Sequence, residues 1–201
     1  MRRDNSFSDK KGDIIKKYNS SSFYYEKRYR DIQLYKFKTF LRRDSLRKKI
    51  ILDAGCGTGL LMDQIFHIDD LSDQLKSNYV GIDISLNMLN ILKLKLNESD
   101  KVKLINLILA DLESLPFRKN IFDCVFSITV FQNLVNLENG VENLIRVGKN
   151  KSEITISILK KKLNMKEFEE LVVNKIYDYQ IYNNPKIEDF FIIGKINDNE
   201  E

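Results

Sequence analysis

The sequence predicts an α/β protein: a doubly wound, mainly parallel sheet of seven strands with an antiparallel C-terminal hairpin and an N-terminal helical extension. Three observations carry this expectation. From Ile50 onward, short apolar runs alternate with helical stretches, the pattern of parallel strands joined by crossover helices. The run Ile50-Ile51-Leu52-Asp53-Ala54-Gly55-Cys56-Gly57-Thr58-Gly59-Leu60 reads as a buried strand, a tight turn and a helix start. Near the end, 176–182 and 189–195 flank Asn183-Asn184-Pro185 and read as an antiparallel pair.

The elements follow in order. Residues 1–12 are polar and basic, and disorder is expected there. Two helical stretches are expected within 13–48, an extension that packs on the main domain of 49–197. Tyr18, Phe23, Tyr24, Tyr25 and Tyr29 give the first an aromatic side. Leu34, Phe37, Phe40 and Leu41 recur at helical spacing in the second. Strand 1 is 50–53, followed by a helix over 59–67 and a polar loop over 69–77. Strand 2 is 79–83, and Ser85 caps a helix running to about Leu96. Strand 3 covers 102–109, and Pro116 breaks the loop that follows. Strand 4 is Phe122–Ile128, a helix spans 137–147, strand 5 is 153–159 and a further helix covers 164–175.

Composition narrows the class. With 201 residues and 43% hydrophobic content, one soluble domain with one core is expected. No apolar run approaches the roughly 20 residues that span a bilayer, and no signal peptide is read at the N-terminus. Cys56 and Cys124 form neither a disulfide framework nor a metal-ligand cluster, so both are expected reduced, in a cytoplasmic protein, with no metal. Residues 1–50 hold 16 Lys or Arg against 6 Asp or Glu, whereas 51–201 hold 17 against 23. A basic N-terminal quarter suits either a solvated helix face or a phosphate-bearing partner such as RNA.

The chemistry is expected at the carboxyl ends of the strands, where open α/β sheets bind ligands. The glycine turn has the spacing D-x-G-x-G-x-G, unlike the dinucleotide fingerprint G-x-G-x-x-G. Glycine permits positive φ and a close ligand approach. Asp83 closes strand 2, and its carboxylate can accept two hydrogen bonds from a ribose. Asp111-Leu112-Glu113-Ser114-Leu115-Pro116-Phe117 follows strand 3, and Phe122-Asp123-Cys124-Val125-Phe126-Ser127 forms strand 4.

These four segments, in this order, closely resemble class I S-adenosylmethionine (SAM) dependent methyltransferases of the type 11 group. The resemblance spans roughly 50–195 and implies a Rossmann-like fold. It implies that Asp53, Gly55, Cys56, Gly57, Thr58 and Gly59 hold the amino-acid part of SAM. Asp83 would hold the ribose, Ile84 and Met88 the adenine side, Asp111 and Leu112 the adenine, and Ser127 the sulfonium region. Thr129, Gln132 and Asn133 would face the substrate. Tyr18, Tyr25 and Tyr29 with Arg28 and Arg30 resemble the tyrosine-bearing segment that folds over the cofactor as a lid, which puts Tyr25, Arg28 and Tyr29 on the substrate side.

Two absences and one departure qualify the resemblance. No N-P-P-Y or D-P-P-Y follows strand 4, which disfavours base-amine or glutamine-amide methylation. No cysteine pair is placed for attack on a pyrimidine. Arg146-Val147-Gly148-Lys149-Asn150-Lys151 replaces the R-x-L-K-P-G-G common before strand 5. No catalytic base is identified; His67, the only histidine, sits at a helix end. A small metabolite, RNA such as tRNA, or a protein remains open as the acceptor, with no DNA readout and no membrane partner expected. A non-catalytic scaffold subunit and a nicotinamide oxidoreductase are the alternatives.

Overall fold

The computed structural model describes residues 5–42, 46, 48–68, 77–97 and 104–197. The reading of 69–76 as a loop, and the expected start of strand 3 at Val102, lie outside them.

A single helix, α1 (Asn5–Phe37), takes in residues 5–12 of the stretch expected to be disordered and the first of the two expected helices, while residues 1–4 lie outside the described residues. The Ser20 and Ser22 hydroxyls donate to the carbonyls of Lys17 and Asn19, which keeps these polar side chains inside the helical pattern. The second expected stretch ends with the helix at Phe37, and Phe40 and Leu41 follow in a turn.

The remainder alternates as expected: β1 (Ile50–Ala54), α2 (Leu60–Ile68), β2 (Asn78–Asp83), α3 (Leu86–Asn97), β3 (Ile105–Leu109), β4 (Phe122–Ser127), α4 (Leu137–Val147), β5 (Gly148–Leu159), α5 (Met165–Glu170), β6 (Ile176–Tyr182) and β7 (Asp189–Ile196). The sheet order is β3-β2-β1-β4-β5-β7-β6, with β1 to β5 parallel and β7 antiparallel to both neighbours. The order reverses between β1 and β4, and that switch point opens the crevice where ligands bind.

Two boundaries move. Strand 5 begins at Gly148 rather than Glu153, because α4 runs straight into the strand and a bulge opposite Phe122–Cys124 absorbs the shortened turn. The helix expected over 164–175 stops at Glu170. Val172, Val173 and Asn174 are weaker helix formers, and turn bonds such as Lys175 N–H to Val172 C=O (2.8 Å) carry the chain to β6.

The sheet is buried on both faces, as a parallel sheet must be. Leu52, Ala54, Val125 and Ile154 meet α4 and the segment of Phe168 and Val172 on one side. Ile51, Tyr79 and Phe126 meet α2, α3 and the end of α1 on the other. Phe40 stacks on Phe126 and Phe191 (5.6 and 5.9 Å between centroids), so the extension shares the main core rather than hanging from it.

Candidate functional site

The glycine turn is built by backbone geometry. Gly55, Gly57 and Gly59 all have positive φ (90°, 55° and 85°). A Cβ on Gly55 would stand 2.2 Å from Val130, and one on Gly59 would stand 2.3 Å from Leu92. A Cβ on Gly57 would meet nothing within 4 Å. Two glycines are therefore demanded by packing, while the third faces open space, a cradle that a side chain would fill.

Asp83 fixes this turn. Its Oδ2 accepts from Gly57 N–H (2.9 Å) and its Oδ1 from Ser85 N–H (2.8 Å). Burial pushes its carboxyl up, and these backbone bonds pull it back. Ile84 N–H also bonds this carboxylate, and since a carboxylate has about four acceptor positions, one remains for a ligand in the cleft. Asp53 lies deeper: its Oδ2 accepts from the Tyr79 hydroxyl (2.5 Å), and burial pushes its carboxyl up to about 7.

Two adjoining cavities open at the strand ends. The donor cleft (about 740 Å³ with its mouth) has the Gly55–Gly57 turn and Asp83 as its floor, Ile84, Met88, Ala110 and Leu112 as apolar walls, and Asp111 at its far end. Helix α1 roofs it with Lys11, Ile14, Tyr18 and Tyr25. Lys11 Nζ bridges Asp111 (2.5 Å) and Glu113 (2.7 Å), and Asn19 Oδ1 accepts from the Ser85 hydroxyl (2.6 Å). The second, smaller cavity (about 350 Å³) lies between Asp53, Cys56, Thr58 and α1's Gln33.

Beyond the roof, a third cavity (about 1520 Å³ with its mouth) is lined by Tyr24, Arg28, Tyr29, Gln132 and Lys161. It shares Tyr18, Tyr25, Thr129 and Asn133 with the donor cleft. Thr129 adopts φ 60° and is held by a buried network. Its Oγ1 donates to Asp189 (2.7 Å) and accepts from Lys36 (2.9 Å), and its N–H donates to Ser157 Oγ (2.7 Å). Lys36 and Asp189 themselves pair at 2.7 Å. Asn133 Nδ2 donates to the Tyr18 hydroxyl (2.8 Å).

The structure thus brings together Asp53, Gly55, Cys56, Gly57, Thr58, Asp83, Ile84, Met88, Asp111 and Leu112 around the first two cavities, and Tyr25, Arg28, Tyr29, Thr129, Gln132 and Asn133 around the third. Two candidates fall elsewhere. Ser127 is fully buried and its hydroxyl donates to Ala54 C=O (3.0 Å), tying β4 to β1 instead of facing the cleft. Gly59 packs on Leu92 behind the turn. Lys11, Glu113 and Gln33 were missed. Lys11 sits in the stretch expected to be disordered, and Gln33 is polar at a helix position whose inward direction only the intact α1 reveals. Its spacing from Tyr18, Ser22, Tyr25 and Tyr29 was the available signal.

A sheet of this order with a glycine turn at the switch point defines a class I methyltransferase architecture. The methyltransferase domain model of the type 11 family matches residues 52–156, more than half the chain, and the chain belongs to that family. Among its relatives, an uncharacterised protein of Methanocaldococcus jannaschii is 31% identical over 72% of this chain and 54% of its own length. The ubiquinone/menaquinone biosynthesis C-methyltransferase UbiE of Wigglesworthia glossinidia brevipalpis is 33% identical over 68% of this chain and 51% of its own. The chain therefore spans about half the length of these curated relatives. Among solved structures, magnesium protoporphyrin IX methyltransferase of Synechocystis, with bound SAM, superposes with a TM-score of 0.72 at 16% identity, covering 94% of this chain and 97% of that one.

Proposed function

We propose that the chain is a SAM-dependent methyltransferase acting on a small organic acceptor. The observation that carries this reading is the cavity beneath α1 that meets the donor cleft at Tyr18, Tyr25, Thr129 and Asn133. The fit for SAM rests on the open space at Gly57, the remaining acceptor position of buried Asp83 and the apolar walls between them. Asp83 would hold the ribose hydroxyls, Ile84, Met88 and Leu112 the adenine faces, and Asp111 the adenine edge. The cofactor supplies an activated methyl group.

The chain's own part is positioning and exclusion of water. α1 covers the cleft, and the Lys36–Asp189–Ser157 network holds Thr129 as a fixed wall between donor and acceptor. Burial raises the Tyr18 and Tyr25 hydroxyls above their ordinary range, so both stay protonated and neither is a base at neutral pH. Asp189 is spent on Lys36. Among the described residues shared by the two cavities no base stands ready, and Glu188 is a carboxylate on the wall of the third cavity, so the acceptor is either already nucleophilic or loses its proton to Glu188.

Two relatives support an acceptor of this size: a UbiE C-methyltransferase and the demethylmenaquinone methyltransferase of Lactococcus lactis. RNA is the second reading, favoured by the basic N-terminal quarter. Part of that charge is consumed internally, since Lys11, Lys36 and Lys49 pair with carboxylates of the main domain. The test is incubation with methyl-labelled SAM and separated small-molecule and RNA fractions at rising salt. Label in the small-molecule fraction with a shallow salt response is expected. Label in RNA, lost steeply with salt, would overturn the small-acceptor reading.

A further inference from the structure

We infer that Gln33, on the roof helix α1, reads the amino-acid end of the donor by accepting a hydrogen bond from its ammonium group, so that donor binding fastens α1 over the site. The inference rests on the cofactor reading above.

The smaller cavity is where the chemistry points. Its wall is Tyr25, Gln33, Phe37, Asp53, Ile128, residues 55–58 of the turn, Leu60 and Leu61, with no Lys, Arg or His among these described residues. Gln33 is 6% exposed and its Oε1 has no hydrogen-bond partner. Thr58, which also lines the cavity, is 1% exposed and its Oγ1 is likewise unpartnered. Two orphaned buried oxygens are costly, and native folds retain few of them without a reason. Here they face the same space as the Asp53 carboxyl. The described residues of this wall include no cation, and Lys36, one turn along α1 from Gln33, is committed to Asp189, so three oxygen acceptors there suit a group with several N–H donors and positive charge, which is an ammonium. An ammonium there would also favour the charged form of Asp53, which burial otherwise resists.

Gln33 differs from Asp53 and Thr58 in its origin. Those belong to β1 and the glycine turn, whereas Gln33 arrives on α1, one turn from Tyr29 and two from Tyr25, which line the acceptor cavity. Gln33 lines that cavity as well. A donor held by Gln33 therefore steadies the acceptor wall, and the donor is expected to bind first.

The test compares S-adenosylhomocysteine with 5′-methylthioadenosine, a nucleoside thioether without the amino-acid end, by calorimetric titration. Wild type is expected to bind the first more tightly. Gln33→Leu is expected to weaken S-adenosylhomocysteine by about 10- to 100-fold, the range for a hydrogen bond to a charged group, and to leave 5′-methylthioadenosine unchanged. Equal losses for both, or no loss for either, would overturn the inference. Hydrogen exchange on the wild type gives a second readout that does not depend on a folded variant. S-adenosylhomocysteine is expected to slow exchange over residues 22–37 and 5′-methylthioadenosine is not; equal effects would overturn the inference. Wild type that binds neither molecule would overturn the cofactor reading itself.

Discussion

The floor and the roof of the donor cleft are built by different physics. The floor is local: Asp53, the glycine turn and Asp83 lie at the ends of adjacent parallel strands, and backbone bonds hold them. Gly55 and Cys56 N–H both donate to Ile82 C=O (2.8 and 2.9 Å), and Gly57 N–H donates to Asp83. The roof is remote: α1 is fastened by side chains that reach across the sequence, Lys11 to Asp111, Asn19 to Ser85, Tyr18 to Asn133 and Lys36 to Asp189. Strand ends give a site rigidity; side-chain clasps allow the same site to open and admit a ligand.

The largest expected effect is at the deepest roof clasp. Lys36→Met leaves Asp189, at 0% exposure, without its cation and with hydroxyl donors alone, and is expected to cost about 3–5 kcal/mol in denaturant unfolding. A loss below 1 kcal/mol would mean that the roof is not anchored there. The floor is next. Gly55→Ala meets Val130 and keeps a strained positive φ, so a loss of about 2–4 kcal/mol of stability is expected. Gly57→Val has room, so the protein is expected to fold with a cost of about 1–2 kcal/mol while SAM binding is lost. Near-normal SAM affinity in that variant would break the placement of the donor.

Asp83→Ala is expected to weaken SAM by about 1.5–3 kcal/mol in calorimetry. Unchanged affinity would reduce Asp83 to a clasp between the turn and α3. Asp53 sharpens the comparison through pH. Its carboxyl sits at about 7 in the fold against 3.8 in the open chain, so the folded state binds the extra proton and stability falls as pH rises from about 4 to about 7. Asp53→Asn is expected to remove that slope, matching wild type near pH 4 and exceeding it above pH 7 in unfolding curves. An unchanged slope would show that Asp53 is ionised in the apo fold. The smallest effect belongs to Lys11→Ala. Its side chain is a third exposed, so less than about 1 kcal/mol of stability is expected, together with faster hydrogen exchange in the first turns of α1.

The same division explains what the sequence made legible. The strands, the glycine turn, Asp83 and Asp111 carry their signals within a few residues, as apolar runs and turn chemistry. The roof does not. Continuity of α1 depends on serines bonding back to their own helix, and Lys11 acquires its role from carboxylates a hundred positions away. Ser127 was misplaced because a serine at a strand tip reads the same whether it faces a ligand or ties two strands. Gln33 was passed over because a glutamine on a helix is ordinarily solvated, and only the packed α1 turns it inward.

The most direct test is calorimetric titration of wild type and Gly57→Val with S-adenosylhomocysteine. Micromolar binding to wild type, abolished in a folded Gly57→Val protein, is the expected result. No binding to wild type, or equal binding to both, would contradict a donor site on the glycine turn beneath α1.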